Sequence, residues 1–185
     1  GQKLDYLTDM RDHFHGAAPA NSILVGDLNI APREDDVWSH KQLLKVVSHT
    51  PIEVEHLAET QDAGKWVDIT RQDIPEGQLY SWWSYRAKDW DAADKGRRLD
   101  HIWATPDISN AAHSSRVLRD ARGWEKPSDH APVFATFDVC TGHGPATGQT
   151  PPWQPRHSDP YNPQLFMEGP GSWIWDCLPA PTRLI

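Results

Sequence analysis

The sequence changes character after Val139, and this change limits the part of the chain that can fold. Residues 141–185 contain nine prolines, frequent glycine and no hydrophobic periodicity. Proline fixes the backbone and removes a hydrogen-bond donor, and such a segment buries too little apolar surface to offset its loss of conformational entropy. We therefore expect one folded domain over residues 1–140 and a disordered, proline- and glycine-rich tail over residues 141–185.

The first 140 residues mix helical and strand patterns. Apolar residues recur at spacings of three and four in the first helix, whereas the strands are short apolar or aromatic runs. The order shows no strict strand–helix–strand rhythm and neither GxGxxG nor GxxxxGK[ST] occurs, which favours a layered α/β sandwich over a doubly wound sheet. The predicted helices cover 3–14, 38–47 and 53–63, with Gly64 as a C-cap, and the predicted strands cover 22–29, 79–86, 98–105, 116–122 and 131–139.

The charge distribution indicates where a polyanion could bind. The net charge is −8, but residues 80–128 hold nine basic and seven acidic residues, whereas residues 1–79 hold seven basic and 14 acidic residues. Local charge, not net charge, meets a phosphate backbone. The 80–128 segment is therefore the candidate phosphate-contacting surface, and an ordinary solvated face is the alternative.

The cysteine content and the hydropathy of the sequence predict the cellular compartment of the protein. Cys140 and Cys177 are far apart and form no CxxC motif, so a disulfide framework or a zinc site is not expected and a reducing cytoplasm is the predicted compartment. A membrane partner is not expected either, because the sequence has no apolar run of about 18 residues.

The first polar cluster, Gly26-Asp27-Leu28-Asn29, follows an apolar strand. If the strand continues, alternation places Asp27 and Asn29 on one side of the chain, about 7 Å apart. A carboxylate and an amide on one side could together hold and orient a water molecule. The alternative is a turn closed by a hydrogen bond of the Asx type, and the pattern leaves both open.

Asp100 and His130 form the second predicted pair. Asp100 lies within an apolar strand, where an unpaired carboxylate is costly to bury. Asp129 and His130 point in opposite directions if the chain is extended, so Asp100 is the better partner for His130. A buried carboxylate on one ring nitrogen fixes the imidazole tautomer and raises its basicity. A structural salt bridge of Asp100 is the alternative, and His101 is expected to serve packing or the surface.

Four motifs, in order, resemble those of one known family. They are Gly-Asp-Leu-Asn at 26–29, Tyr-Ser-Trp-Trp-Ser-Tyr-Arg at 80–86, Lys-Gly-Arg-Arg-Leu-Asp-His-Ile at 95–102 and Glu-Lys-Pro-Ser-Asp-His-Ala-Pro-Val at 125–133. Together they resemble the exodeoxyribonuclease III and AP endonuclease family of the endonuclease/exonuclease/phosphatase superfamily. The resemblance implies a four-layer αββα sandwich of the DNase I-like class and a Mg²⁺ or Mn²⁺ cofactor. It further implies hydrolysis of double-stranded DNA at abasic sites and 3′ ends in base-excision repair. We expect the protein to be a monomer.

The resemblance also implies roles for individual residues. Asp27 would deprotonate or position the attacking water, and Asn29 would orient that water and contact the phosphate. Asp100 would orient His130, which would contact the phosphate and stabilise charge in the transition state. The implied catalytic residues are Asp27, Asn29, Asp100 and His130, and the implied metal ligands are Asp27, Asn29, Asp129 and His130.

The aromatic and basic segment matches the part of the family that contacts DNA. Trp82 and Trp83 would line the pocket for a sugar that lacks its base, although strand alternation places one of the two in the core. Arg86, Arg97 and Arg98 would contact phosphates and position the DNA without reading its sequence.

Family proteins extend further at the N-terminus. The resemblance places a strand-end Asn, a metal-ligating Glu and a catalytic Tyr upstream of residue 1, and none of Tyr6, Tyr80, Tyr85 and Tyr161 matches that tyrosine. We therefore expect the chain to supply the C-terminal half of the sandwich and to hydrolyse DNA weakly or not at all without the other half. Two alternatives remain open. One is an incomplete fragment that at most binds DNA. The other is a phosphatase or phosphodiesterase of the same superfamily that acts on phosphoinositides or sphingomyelin.

Overall fold

The structure is a computed structural model that describes residues 1–16 and 18–138. The predicted tail over residues 141–185 lies outside the described residues. Helices are α1 (Gln2–His13), α2 (His40–Leu43), α3 (Pro51–Gly64), α4 (Ile69–Asp73), α5 (Trp90–Ala93) and α6 (Pro106–Ser109), and strands are β1 (Ile23–Asp27), β2 (Val67–Asp68), β3 (Trp82–Trp83), β4 (Gly96–Arg97), β5 (Asp100–Ala104), β6 (Ala112–Val117) and β7 (Val133–Phe137). None of these helices is both long and apolar enough for a membrane span.

A three-stranded antiparallel sheet in the order β1–β5–β2 positions the polar clusters. Strand β5 lies in the middle and is buried from His101 to Ala104, as its apolar sequence requires. Strands β1 and β5 pair in register, and the last pair is Asp27 opposite Asp100. This register brings the carboxylates of two distant sequence motifs to one end of the sheet.

Helices α1 and α3 cover one face of this sheet. Leu7, Phe14 and Leu57 of the helical layer pack with Leu24 of β1 and Trp103 of β5 in one buried cluster. Each such side chain contributes about 1.5–3 kcal/mol when it is fully removed from water. Ile102 points to the other face of the sheet and lies in a second cluster, formed with side chains of α4, β6 and β7.

Helix α3 begins at a capping box. Thr50 is the N-cap, Pro51 occupies the first helical position, and Thr50 and Glu53 each accept a hydrogen bond from the other's backbone, which satisfies donors at the helix start. The helix ends at Gly64, and its C-cap is Lys65, which adopts a left-handed φ of 55°. The prediction of Gly64 as C-cap is therefore wrong by one residue, because Gly64 remains helical and packs against the indole of Trp66.

The two-stranded sheet β3–β4 carries the aromatic and basic motifs. Trp82 pairs with Arg97 of β4 and also forms an isolated bridge with His130. The segment before β7 therefore lies on one side of Trp82 and the basic β4 strand lies on the other. This arrangement places His130 next to the predicted DNA-contacting residues.

Three predicted elements are shorter or displaced in the structure. Helix 38–47 is reduced to α2, because two β-branched valines follow it and Ser48 then adopts a positive φ of 82°. The strand predicted for 79–86 is reduced to β3, since neighbouring backbone groups bond outside strands: the N–H of Leu79 donates to the carbonyl of Asp35, and the carbonyl of Ser81 accepts from the N–H of Ala131. The strand predicted for 116–122 lies earlier, at 112–117, and a 3₁₀ turn follows it at Arg119–Gly123.

Candidate active site

The site begins with two carboxylates at the end of the β1–β5 sheet. Asp27 and Asp100 are directly opposed in the register. Burial raises the pKa of Asp27, and the charge of Asp100 raises it further, against the hydrogen bond from the backbone of Asn29. Two opposed carboxylates favour either a proton or a cation between them, so Asp27 is suited to accept a proton or to hold a metal ion.

His130 joins the two carboxylates. Its Nδ1 lies 2.8 Å from Oδ2 of Asp100, and its Nε2 lies 3.8 Å from Oδ2 of Asp27. The carboxylate can only accept, so Nδ1–H donates to Asp100. This hydrogen bond, more than the opposing effect of burial, raises the pKa of His130. The predicted pairing of Asp100 with His130 is present in the geometry, and Nε2 is the ring nitrogen left for a ligand.

Ser81 fixes the relative positions of Asp100 and His130. Its buried Oγ accepts hydrogen bonds from the backbone N–H groups of Leu99 and Asp100, at 2.9 and 3.1 Å. Its carbonyl accepts from the backbone N–H of Ala131 at 2.7 Å. One residue of the aromatic motif therefore connects the segments on which the carboxylate and the imidazole stand. The sequence gives no signal for this role, because both partners are remote along the chain.

Asn29 lies beside the carboxylates but not on a continued strand. Strand β1 ends at Asp27, and Asn29 adopts a left-handed φ of 55° while its N–H donates to Oδ1 of Asp27 at 2.8 Å. The alternative of an Asx-type turn is thus the observed local structure, and the strand alternation proposed for Asp27 and Asn29 does not apply. The Asn29 side chain contacts Lys3 and Ser48, and neither of these, nor their partner Glu53, was predicted as a site residue.

The potential metal-ligating group comprises Asp27, Asp100 and His130, whose ligand atoms lie within 4.8 Å of one another. Carboxylate oxygens are the ligands that Mg²⁺ and Mn²⁺ prefer, so the donor set fits such a cation. Asp129 is not a member of this group, because its Oδ2 instead accepts a hydrogen bond from Trp82 Nε1 at 2.9 Å. The geometry therefore groups Asp100, not Asp129, with Asp27 and His130, and metal binding by Asp129 and Asn29 stays a prediction.

A cleft of about 870 Å³ opens beside His130 and Asn29. Its walls include four of the five predicted DNA-contacting residues: Trp82, Trp83, Arg86 and Arg97. Two of the cleft's cations lie over indole rings: Arg97 is 5.2 Å from the ring centre of Trp82, and Lys95 is 4.6 Å from that of Trp38. Such cation–π contacts hold positive charge at the wall, so the cleft suits a polyanion.

Two predicted DNA contacts are corrected by burial. Arg98 is fully buried, where it forms ion pairs with Asp36 and Asp68, so it cannot reach a phosphate at the surface. Trp83 is 2% exposed and packs in a core cluster with Tyr80 and Ala131. Trp83 borders the cleft as Trp82 does, but its low exposure makes it the core member of the tryptophan pair.

A sequence profile of the Endonuclease/Exonuclease/phosphatase family matches residues 4–130, more than half of the chain. Exodeoxyribonuclease III of Haemophilus influenzae is 31% identical over 125 residues, which cover 64% of this chain and 46% of that protein. An AP endonuclease structure from Archaeoglobus fulgidus is similar at a TM-score of 0.70 and 29% identity, over 74% of this chain and 53% of that one. A structure of a 3′ phosphatase from Neisseria, bound to a product DNA hairpin, is similar at a TM-score of 0.64 and 32% identity. The similarity covers 72% of this chain and 51% of that one.

These similarities confirm the α/β fold class predicted from the sequence. The arrangement is that of the DNase I-like αββα sandwich, of which this chain covers a part. The chain spans about half the length of the relatives it matches.

Proposed function

The chain belongs to the endonuclease/exonuclease/phosphatase family, and on this premise we propose that it supplies the Asp27–Asp100–His130 part of a DNA phosphodiesterase site. The proposed substrate is double-stranded DNA, cleaved at abasic sites and at 3′ ends in base-excision repair. The observation that supports this most is that the two carboxylates and the imidazole meet at one sheet end, beside a cleft lined with cations.

Asp27 is the proposed general base. Its Oδ1 is oriented by the N–H of Asn29, and in the absence of a metal ion burial raises the pKa of its carboxyl. A water held by Asp27 would lose its proton to the carboxylate as the oxygen attacks phosphorus. The bond from phosphorus to the leaving oxygen then breaks on the opposite side.

His130 is the proposed charge-stabilising donor. Its Nδ1–H is committed to Asp100, which fixes the ring so that Nε2 faces the carboxylate of Asp27 and the cleft. Its raised pKa favours the imidazolium, which donates from Nε2 to a phosphate oxygen and stabilises the charge that develops there. Since Nε2 can serve only one partner, we assign it to the phosphate and not to a metal.

Asp27 and the second oxygen of Asp100 are then the described groups that would hold Mg²⁺ or Mn²⁺. When bound, such a cation would neutralise phosphate charge and stabilise the leaving oxygen.

The cleft supplies the proposed DNA contacts. Trp82 offers an indole beside His130, while Arg86 and Arg97 offer guanidinium groups for the phosphates. Such contacts position a backbone without reading bases. The monomeric state and the cytoplasmic location predicted from the sequence stay predictions and belong to the same proposal.

Incision of a fluorescent duplex that carries one abasic-site analogue tests the proposal. The assay compares Mg²⁺ with EDTA, and the unchanged chain with His130→Ala and with His15→Ala, a matched change of an exposed histidine. Each is assayed alone and with the N-terminal half of the Haemophilus influenzae relative supplied as a separate chain. A second duplex with a 3′-phosphate end measures activity at 3′ termini.

The outcomes separate the alternatives. We expect little or no incision by the chain alone, and Mg²⁺-dependent incision with the added half that His130→Ala abolishes and His15→Ala preserves. Incision by the chain alone, lost in His130→Ala, would support the function and refute the incomplete-fragment hypothesis. No incision in either form, or release of phosphate from phosphoinositides instead, would refute the proposed DNA substrate.

A further inference from the structure

We propose that Lys3, Ser48 and Glu53 form a positioning network that fixes the Asn29 amide with its nitrogen directed into the cleft. The inference rests on the proposed function, because it makes the Asn29 amide a donor to the phosphate. It adds three positioning residues from parts of the chain that no site motif includes.

The orientation of the amide follows from the donors around it. Oδ1 of Asn29 lies 3.2 Å from Nζ of Lys3 and 3.0 Å from Oγ of Ser48. An ammonium group has donors and no acceptor, so the amide atom that faces Lys3 must be the oxygen. The amide nitrogen then points away from Lys3. Asn29 lines the cleft together with Ser48 and His130, and Nδ2 donates to no group within residues 1–16 and 18–138, which leaves both its hydrogens for a phosphate oxygen.

Lys3 is committed to this role and is not a free cation. Its Nζ is 2.9 Å from the carbonyl oxygen of Asn29, 3.2 Å from Oδ1 of Asn29 and 2.9 Å from Oε1 of Glu53. An ammonium has three N–H groups, and these contacts use all three. Glu53 neutralises the charge; its side chain is 9% exposed and that of Lys3 is 26% exposed, so solvent screens the pair only in part.

Glu53 anchors the pair to the start of helix α3. Its Oε2 accepts from the backbone N–H groups of Ser48 and Thr50 and from Oγ1 of Thr50, at 2.9, 3.1 and 2.7 Å. Burial alone would raise the pKa of Glu53, but the hydrogen bonds from Lys3 and Thr50 outweigh it and lower that pKa. The carboxylate therefore stays ionised and holds Lys3.

The backbone has a positive φ on both sides of the network. Asn29 has a φ of 55°, which asparagine adopts more readily than most residues, and Ser48 has a φ of 82°, a region that serine adopts only when surrounding contacts compensate. The Ser48 carbonyl accepts from the N–H of Ala31 at 2.8 Å, so both turns are held by bonds between them. Backbone strain of this kind is typical of functional sites, and we expect it where the orientation of Asn29 matters.

Side-chain amide NMR tests the orientation without any catalytic readout. The Nδ2H₂ signals of Asn29 are compared in the unchanged chain, Lys3→Met, Ser48→Ala and Lys41→Met, the last a matched change of an exposed lysine. We expect the Asn29 signals to shift in Lys3→Met and in Ser48→Ala but not in Lys41→Met, while backbone signals of the core residues Leu57 and Trp103 stay in place. Unchanged Asn29 signals in both network variants would overturn the proposal.

A kinetic cycle tests the consequence in whichever form of the protein is active in the incision assay. Lys3→Met is expected to lower kcat by roughly 10- to 100-fold with little change in KM, the cost of losing a charged hydrogen bond, and Lys3→Arg to restore part of the rate. In an Asn29→Ala background, Lys3→Met should change kcat less than about twofold. Equal losses in both backgrounds would show a merely structural role for Lys3. If no form of the protein cleaves DNA, the proposed function fails, and the NMR comparison still decides the orientation of Asn29.

Discussion

Arg97 and Arg98 are neighbours in sequence, and their guanidinium groups lie in opposite environments. Arg98 is fully buried and binds both oxygens of Asp36, at 2.8 and 3.0 Å, as well as Asp68. Arg97 lies against the ring of Trp82 in the cleft and donates to the carbonyl of Val47, and within the described part of the chain it forms no ion pair. One arginine therefore stabilises the fold, and the other is available to a phosphate.

Removing the guanidinium of Arg98 should destabilise the fold. Asp36 is fully buried. In Arg98→Met, its carboxylate would keep the ion pair with Arg71 and lose the one with Arg98. Breaking a buried ion pair in this way costs about 3–5 kcal/mol of unfolding free energy, which urea denaturation measures. Arg86→Met, a change of an exposed arginine, should cost less than about 0.5 kcal/mol. A loss below about 1 kcal/mol in Arg98→Met would show that the buried network is not needed for stability.

Removing the guanidinium of Arg97 should weaken DNA binding. Each phosphate contact contributes about 0.9 to the slope of log K against log salt concentration. Arg97→Leu should therefore reduce that slope by about 0.9 in fluorescence anisotropy with duplex DNA. Arg97→Lys keeps the charge and should keep most of the slope. An unchanged slope in Arg97→Leu would place Arg97 outside the DNA interface.

The buried imidazole of His101 should make stability fall in mild acid. Burial, together with the charge of Arg98, lowers the pKa of His101 from 6.5 to about 4. The ring accepts from Arg98 at Nδ1 and donates to the carbonyl of Ile30 from Nε2, so it is neutral when folded. Between pH 6.5 and 4 the unfolded chain binds more protons, and the free energy of unfolding falls as pH falls, by about 3 kcal/mol in total.

His101→Gln provides the control for this pH dependence. A glutamine amide can donate to one partner and accept from the other, but it does not titrate. Urea unfolding at pH 7, 6 and 5 should show a decline that is smaller in His101→Gln than in the unchanged chain. Parallel declines in the two proteins would assign the acid sensitivity to other groups.

Neutralising Asp100 should impair His130 without moving it. The hydrogen bond to Asp100 is the largest cause of the raised pKa of His130. In Asp100→Asn the pKa of His130 should fall in an NMR titration, and incision by the active form should slow by about 100- to 1,000-fold. Asp9→Asn, a change of an exposed carboxylate on α1, should alter neither quantity. An unchanged His130 titration in Asp100→Asn would contradict the pairing.

Local sequence signals predicted much of this structure. The apolar runs located β1, β5 and β7, and the cost of burying an unpaired carboxylate led to the pairing of Asp100 with His130. The remote contacts of Arg98 and Lys3 were not predictable, since no local signal joins Arg98 to Asp36 across 62 residues or Lys3 to Glu53 across 50. The basic run at 95–98 gives no sign of which arginine is buried. The burial of each arginine depends on strand pairing, which is defined only in the folded chain.

Binding of Mn²⁺ to the chain tests most directly whether Asp27, Asp100 and His130 form a metal-dependent site. Bound Mn²⁺ broadens the NMR signals of nearby nuclei, and Asp27→Asn removes one ligand charge while Asp9→Asn serves as its matched control. We expect millimolar Mn²⁺ to broaden the backbone signals of Asp27, Asp100 and His130 selectively, with the effect reduced in Asp27→Asn and retained in Asp9→Asn. If Mn²⁺ does not broaden the signals of these three residues, or broadens them equally in Asp27→Asn, the result would contradict a metal site at the end of the β1–β5 sheet.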